Sequence, residues 1–185
     1  LIWLRERPAD LSASAQGADR VMAMVKLAAE KIGLNWRESN YLLLRRGPYL
    51  IAAGFDESIS GEPKILRGRF VNLFDSELRV LKEVTLAPGA RYFLRDLDAT
   101  PAPDRQLLAA ACKALPEKSP GQTLAFTVES VAGTPAVMLF RTAQPPRSIT
   151  LDGQPVTDFN FSKPDGLLWL RFENTASPRN LTLNF

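Results

Sequence analysis

Apolar residues recur three and four apart along Ala18–Ile32, at Val21, Met24, Val25, Ala28, Ala29 and Ile32. Asp19, Arg20, Lys26, Glu30 and Lys31 fill the opposite positions. That spacing predicts an amphipathic helix. Gly33 supplies its stop. The apolar stripe, Met22 and Met24 with it, is expected to pack into a core rather than form an adaptable binding face.

After Trp36 the pattern turns β-like. Tyr41–Leu44 and Tyr49–Ala53 are short β-prone runs on either side of Arg45-Arg46-Gly47-Pro48, a strand–corner–strand signal. Neighbouring strand residues point to opposite faces, so Arg45 and Arg46 are expected to face opposite ways. Leu66–Phe74, Leu78–Leu86 and Arg91–Leu97 read as further strands, the last two separated by Pro88-Gly89. Ala99–Asp104, "ATPAPD", is proline-rich and polar and marks the best internal boundary. In the run that follows, 104–115, Ala and Leu favour a helix, yet no face is polar enough for an amphipathic one. Helix and buried strand both stay open there, with the strand preferred.

Beyond that run the chain is plainly β. Leu124, Phe126 and Val128 alternate with Ala125, Thr127 and Glu129. Ala136–Arg141, Ser148–Leu151, Val156–Phe161, Leu167–Phe172 and Leu181–Phe185 follow, each set off by Gly, Pro or Asp-Gly. Asp152-Gly153 in "ITLDGQPV" predicts a tight hairpin. The expected fold is mainly β: an antiparallel β-sandwich, immunoglobulin-like or jelly-roll-like, with one N-terminal amphipathic helix. Residues 1–39 read as a junction segment, 40–98 as a first β region and 104–185 as a second. The two regions form either one composite sandwich or two small ones.

Composition narrows the chemistry. The chain has 185 residues, 45% hydrophobic and 23% charged, an ordinary globular balance. Its net charge of +3 is spread along the sequence without a basic cluster, so no nucleic-acid partner is expected. There is no histidine, which removes the histidine-activated nucleophiles and imidazole metal sites. The single cysteine, Cys112, lies in an apolar run and reads as a small core residue. One cysteine closes no disulfide within the chain, which suits a reducing compartment or a bacterial secreted protein without disulfides. No apolar run reaches the roughly 20 residues that span a bilayer. Leu1 in place of a starting Met, and no signal peptide, read as a fragment of a longer protein.

Glycoside hydrolysis needs two carboxylates flanking one sugar. Asp56/Glu57, Asp75/Glu77 and Asp96/Asp98 are the available pairs, and each is better explained as turn chemistry. Asp152, Asp158 and Asn160 lie near a hairpin without a dense oxygen-ligand loop, so no metal site is expected. Gly54–Lys64 lacks the phosphate-loop pattern, and the dinucleotide fingerprint is absent, so no cofactor is expected. Trp3, Trp36, Tyr41, Tyr49, Phe55, Tyr92 and Trp169 are the candidates for stacking on a sugar ring, Trp169 in "GLLWLRF" being assigned to burial. The binding candidates are Trp36, Arg45, Arg46 and Tyr49, and no catalytic residue is assigned.

The stretch "MVKLAAEKIGLNWRESNYLLLRRGPYLIAAGF" resembles the junction of bacterial glycoside hydrolases of the β-galactosidase type. In those proteins an apolar helix, a glycine and an arginine-bearing corner lead into a C-terminal β-domain. "LRGRFVNLFDSELRVLKEVTLAPGARYFLRDLD" and the closing "SITLDGQPVTDFNFSKPDGLLWLRFENTASPRNLTLNF" are similar to the continuation of such accessory regions. The resemblance runs from about Val21 to Phe185. It implies a non-catalytic β-sandwich that supports an upstream catalytic domain of the same polypeptide. Carbohydrate is the other implied partner, and the implied location is extracellular or periplasmic. A carbohydrate-binding module and an adhesion-type sandwich are the alternatives.

Overall fold

The computed structural model describes residues 5–55, 62–99 and 105–185. Trp3, Asp56, Glu57 and all but the first residue of Ala99–Asp104 lie outside the described residues. Strands make up 48% of the structure, in three antiparallel sheets with two helices.

The helices come first. α1 (Pro8–Ser12) is a single turn that sequence reasoning did not anticipate, and α2 (Ala15–Lys31) is the expected helix, three residues longer at its start. Ser14 caps α2 by accepting from the Gly17 amide at 3.1 Å. The core-packing expectation for its stripe is corrected: no residue of α2 is buried, and Met22, Val25 and Leu27 stay exposed. Periodicity sets which face is apolar, but only a neighbouring surface can bury it. Among the described residues no helix is long and apolar enough to cross a membrane.

The first sheet takes β1 (Tyr41–Arg46), β2 (Tyr49–Gly54), β3 (Lys64–Asn72), β4 (Val80–Leu86) and β5 (Arg91–Asp96), in the order β1-β2-β5-β3-β4. Arg46 pairs with Tyr49, so Gly47-Pro48 is a two-residue hairpin turn. Gly47 takes the positive φ of 55° that its first position needs. The sheet curls around Leu50, Ala52, Phe70, Val84, Leu86 and Leu94. At the end of β2, Gly54 meets the turn after β4. A Cβ there would lie 2.0 Å from the Ala87 carbonyl oxygen, so only glycine lets the two backbones approach.

The run 104–115 is β and forms two strands. β6 (Gln106–Ala110) and β7 (Lys113–Glu117) belong to different sheets, and the chain crosses between layers at Ala111-Cys112. A middle sheet has the order β12-β13-β9-β6, from β9 (Pro135–Arg141), β12 (Phe159–Ser162), β13 (Leu167–Glu173) and β6. An outer sheet has the order β11-β10-β14-β8-β7, with β8 (Thr123–Glu129), β10 (Ser148–Leu151), β11 (Gln154–Pro155) and β14 (Arg179–Asn184). Leu151 pairs with Gln154, so Asp152-Gly153 makes the expected two-residue turn.

The middle sheet is buried on both faces. Met138, Phe140, Leu168 and Leu170 meet Phe126, Val128, Ile149, Leu181 and Leu183 of the outer sheet. The opposite face, with Leu108, Val137, Leu139 and Leu167, packs on Val71, Leu78 and Leu97 of the first β region. β9 is accordingly a continuous apolar run, "AVMLF", rather than an alternating one.

Polar contacts ring this second seam. Trp169 donates Nε1–H to the Leu78 carbonyl at 3.1 Å, and Arg95 donates to the Leu108 carbonyl at 2.8 Å. Arg69 reaches the Asp165 carbonyl at 3.0 Å, Arg141 donates to the Leu97 carbonyl, and Arg171 meets Glu77 at 3.2 Å. Leu139 is fully buried in the seam. Leu139→Ala is expected to cost about 2–5 kcal/mol in chemical denaturation. A loss below about 0.5 kcal/mol, within the range of ordinary surface changes, would show that the seam is not a close-packed core.

Candidate binding cleft

The loop between β3 and β4 is tied to itself. Asp75 accepts from the backbone amides of Glu77 (3.1 Å) and Arg79 (3.2 Å), and from the Arg79 guanidinium at 2.9 and 3.1 Å. The Arg79 guanidinium, helped by the two amides, holds the Asp75 carboxyl well below its ordinary range, down to about 2. Leu78 anchors the far end of the loop in the seam. Phe74 is thereby presented on a fixed support although it is 69% exposed.

Phe74 sits at the end of an aromatic row. Its ring centroid lies 6.2 Å from that of Phe93, and Phe93 lies 5.6 Å from Tyr49. The Tyr49 hydroxyl accepts from Arg95 Nη1 at 2.8 Å, and the Arg95 guanidinium also lies 5.3 Å from the Tyr49 ring centroid. Tyr49 and Arg95 are cross-strand partners on β2 and β5, which puts them on one face. Opposite stands the edge strand β6. Between them lies a cleft of about 510 Å³, lined by Tyr49, Phe74, Asp75, Ser76, Arg95 and residues 107–111. A second hollow of about 590 Å³ shares Ser76 and Ala111 with it and contains the Glu77–Arg171 pair.

The four expected binding residues do not form one site. Arg45 pairs with Asp96 at 2.8 Å, on the opposite face from Tyr49, while Arg46 is the cross-strand neighbour of Tyr49. The two arginines therefore do face opposite ways. Trp36 donates to Glu38 at 2.8 Å and folds back beside Val25, Ala28 and Ala29 of α2. Tyr49 alone of the four lines the cleft. Sequence reasoning missed Phe74, Phe93 and Arg95. The alternation of "RYFLRD" puts Phe93 and Arg95 on one face, which was the readable signal.

This surface can stack and hydrogen-bond a ligand, and the carboxylates described in and around it are engaged by arginines. Asp75 is committed to Arg79, and Glu77 to Arg171. The Asp96/Asp98 pair is likewise divided between Arg45 and Arg69. A catalytic acid needs a carboxyl raised toward the working pH, and Asp75 is shifted the other way. Cys112 is packed against the sandwich core, and burial pushes its thiol up, away from the reactive thiolate. Among the described residues no group of three or more His, Cys, Asp or Glu side chains could hold a metal ion.

No family model and no curated protein matches this chain. Two solved structures resemble it distantly: a GH31 dextranase from Flavobacterium johnsoniae, as a mutant complexed with isomaltotriose and as the complex with glucose. In each, the likeness covers 75% of this chain and 26% of the other, at 7% identity and a TM-score of 0.37. The chain thus spans about a quarter of the length of those proteins.

The Asp75 carboxyl lies lower in the folded protein than in an unfolded chain. Its stabilisation is therefore complete above about pH 4 and is lost as pH falls toward about 2. Asp75→Asn is expected to lower stability at neutral pH and to flatten that acid limb in a denaturation series. An unchanged limb would remove Asp75 from the role.

Proposed function

We propose that this chain is a non-catalytic accessory β-sandwich region of a bacterial carbohydrate-active enzyme of the glycoside hydrolase kind. It supports a catalytic domain of the same polypeptide, and the location that goes with this reading is extracellular or periplasmic. The observation that carries it is the state of the cleft: its aromatic wall is open, while Asp75 in the cleft and Glu77 in the adjoining hollow are each engaged by an arginine. A panel of aryl glycosides is expected to show no turnover by the chain above background. Turnover that disappears on substituting one carboxylate would overturn the reading.

The row Tyr49–Phe93–Phe74 favours a second reading, in which the chain itself binds carbohydrate. Apolar faces of sugar rings pack on aromatic rings, and the Tyr49 hydroxyl and the Arg95 guanidinium supply polar groups at the edge. In an oligosaccharide titration, Phe74→Ala is expected to weaken binding about tenfold. Trp36→Ala, away from the cleft, should leave it unchanged. Equal effects of the two substitutions, or no binding by the parent chain, would sink the second reading and leave the first standing.

A further inference from the structure

Six strands form the edges of the three sheets: β1, β4, β6, β7, β11 and β12. Proteins blunt such edges with charge, proline, bulges or short length. β4 carries Lys82-Glu83, β7 carries Pro116, β11 carries Pro155, β6 is bulged between Leu107 and Ala109, and β12 is four residues long. β1 has none of these at its centre. It is regular over six residues, and Leu42, Leu43 and Leu44 are 46%, 39% and 42% exposed, on both of its faces. Among the described residues no strand pairs with its outer side.

The hydrogen-bond parity of β1 is set by its hairpin. The pair Arg46–Tyr49 closes the two-residue turn, and the Phe55 amide donates to the Asn40 carbonyl at 2.8 Å. Even-numbered residues therefore bond inward to β2. Tyr41, Leu43 and Arg45 aim their N–H and C=O groups outward, and Ser39 Oγ reaches the Tyr41 carbonyl from that outer side at 2.8 Å.

We propose that β1 pairs with β1 of a second copy of this chain, antiparallel about a two-fold axis through Leu43, joining two five-stranded sheets into one of ten. This register places Leu43 against the partner's Leu43 and Tyr41 against the partner's Arg45. On the other face Leu42 meets the partner's Leu44, twice by symmetry. The outward groups of Tyr41, Leu43 and Arg45 then form about six inter-chain hydrogen bonds. No like charges meet. Centring the axis on Leu44 would set both arginines against leucines, and centring it on Arg45 would set arginine against arginine, which is destabilising. The partner is a second copy because the strand is complementary to itself in this register, as an isologous interface requires.

Sedimentation equilibrium of the full chain from micromolar to millimolar concentration tests this. A monomer–dimer equilibrium is expected. L43K and L43E alone should each weaken it about tenfold or more, with folding confirmed by circular dichroism, and an equimolar mixture should restore a heterodimer. In the unmodified chain, amide exchange at Tyr41, Leu43 and Arg45 should slow as concentration rises, a readout that needs no variant to fold. A chain that stays monomeric, an L43K variant that dimerises as the parent does, a mixture of folded variants that stays monomeric, or exchange independent of concentration would overturn the proposal.

Discussion

The two-sided burial of the middle sheet is the constraint on which the rest of the structure depends. Along β9, Met138 and Phe140 enter the sandwich core while Val137 and Leu139 enter the seam with the first β region. One strand thus belongs to two cores. Its neighbours repeat the division: Leu168 and Leu170 face one way, and Leu167 and Trp169 the other. The seam is held chiefly by removal of these side chains from water, each worth about 1.5–3 kcal/mol on full burial. The surrounding ion pairs are mostly half-exposed and contribute less, so their role is to fix how the layers sit. Trp169 shows the division of labour within one residue. Its ring packs in the seam while its N–H holds the Leu78 carbonyl.

The cleft is a consequence of that seam. Docking the first β region on the middle sheet brings Tyr49 and Arg95 opposite the free edge of β6, and it pins Leu78 so that the Asp75 loop stands beside them. The same charge pairing that makes the loop rigid occupies its carboxylates. A rigid aromatic wall suits binding, because little side-chain entropy remains to be lost there. Acid–base catalysis needs the opposite arrangement, carboxyls left free for a substrate.

The helix shows where pattern and packing part. The amphipathic stripe and the glycine stop of α2 were legible, because three-to-four spacing and a C-terminal glycine act within a few residues; its start lay three residues earlier than expected, at the Ser14 cap. Burial of the stripe was not, because it requires a surface that local sequence does not specify. The strands were legible almost throughout, since alternation and turn residues are local too. The expected run Val156–Phe161 missed β11 (Gln154–Pro155) altogether and began three residues ahead of β12 (Phe159–Ser162). Of the cleft, Tyr49 was legible as an aromatic beside a turn. Phe74 was not singled out, because a phenylalanine in a turn differs from a core phenylalanine only in what surrounds it.

By itself the sequence determined that this is an antiparallel β protein with an N-terminal amphipathic helix, that Arg45 and Arg46 diverge, and that histidine-based chemistry is absent. These follow from backbone periodicity, turn chemistry and composition, which need no distant neighbour. Only the tertiary structure decided that 104–115 splits between two sheets, that β9 serves two cores, and that the aromatics of β2, β5 and the Asp75 loop converge. It also decided that the stripe of α2 and the leucines of β1 stay open. The physical reason is that burial and ion pairing join residues far apart in the chain, such as Leu78 with Trp169 or Glu77 with Arg171.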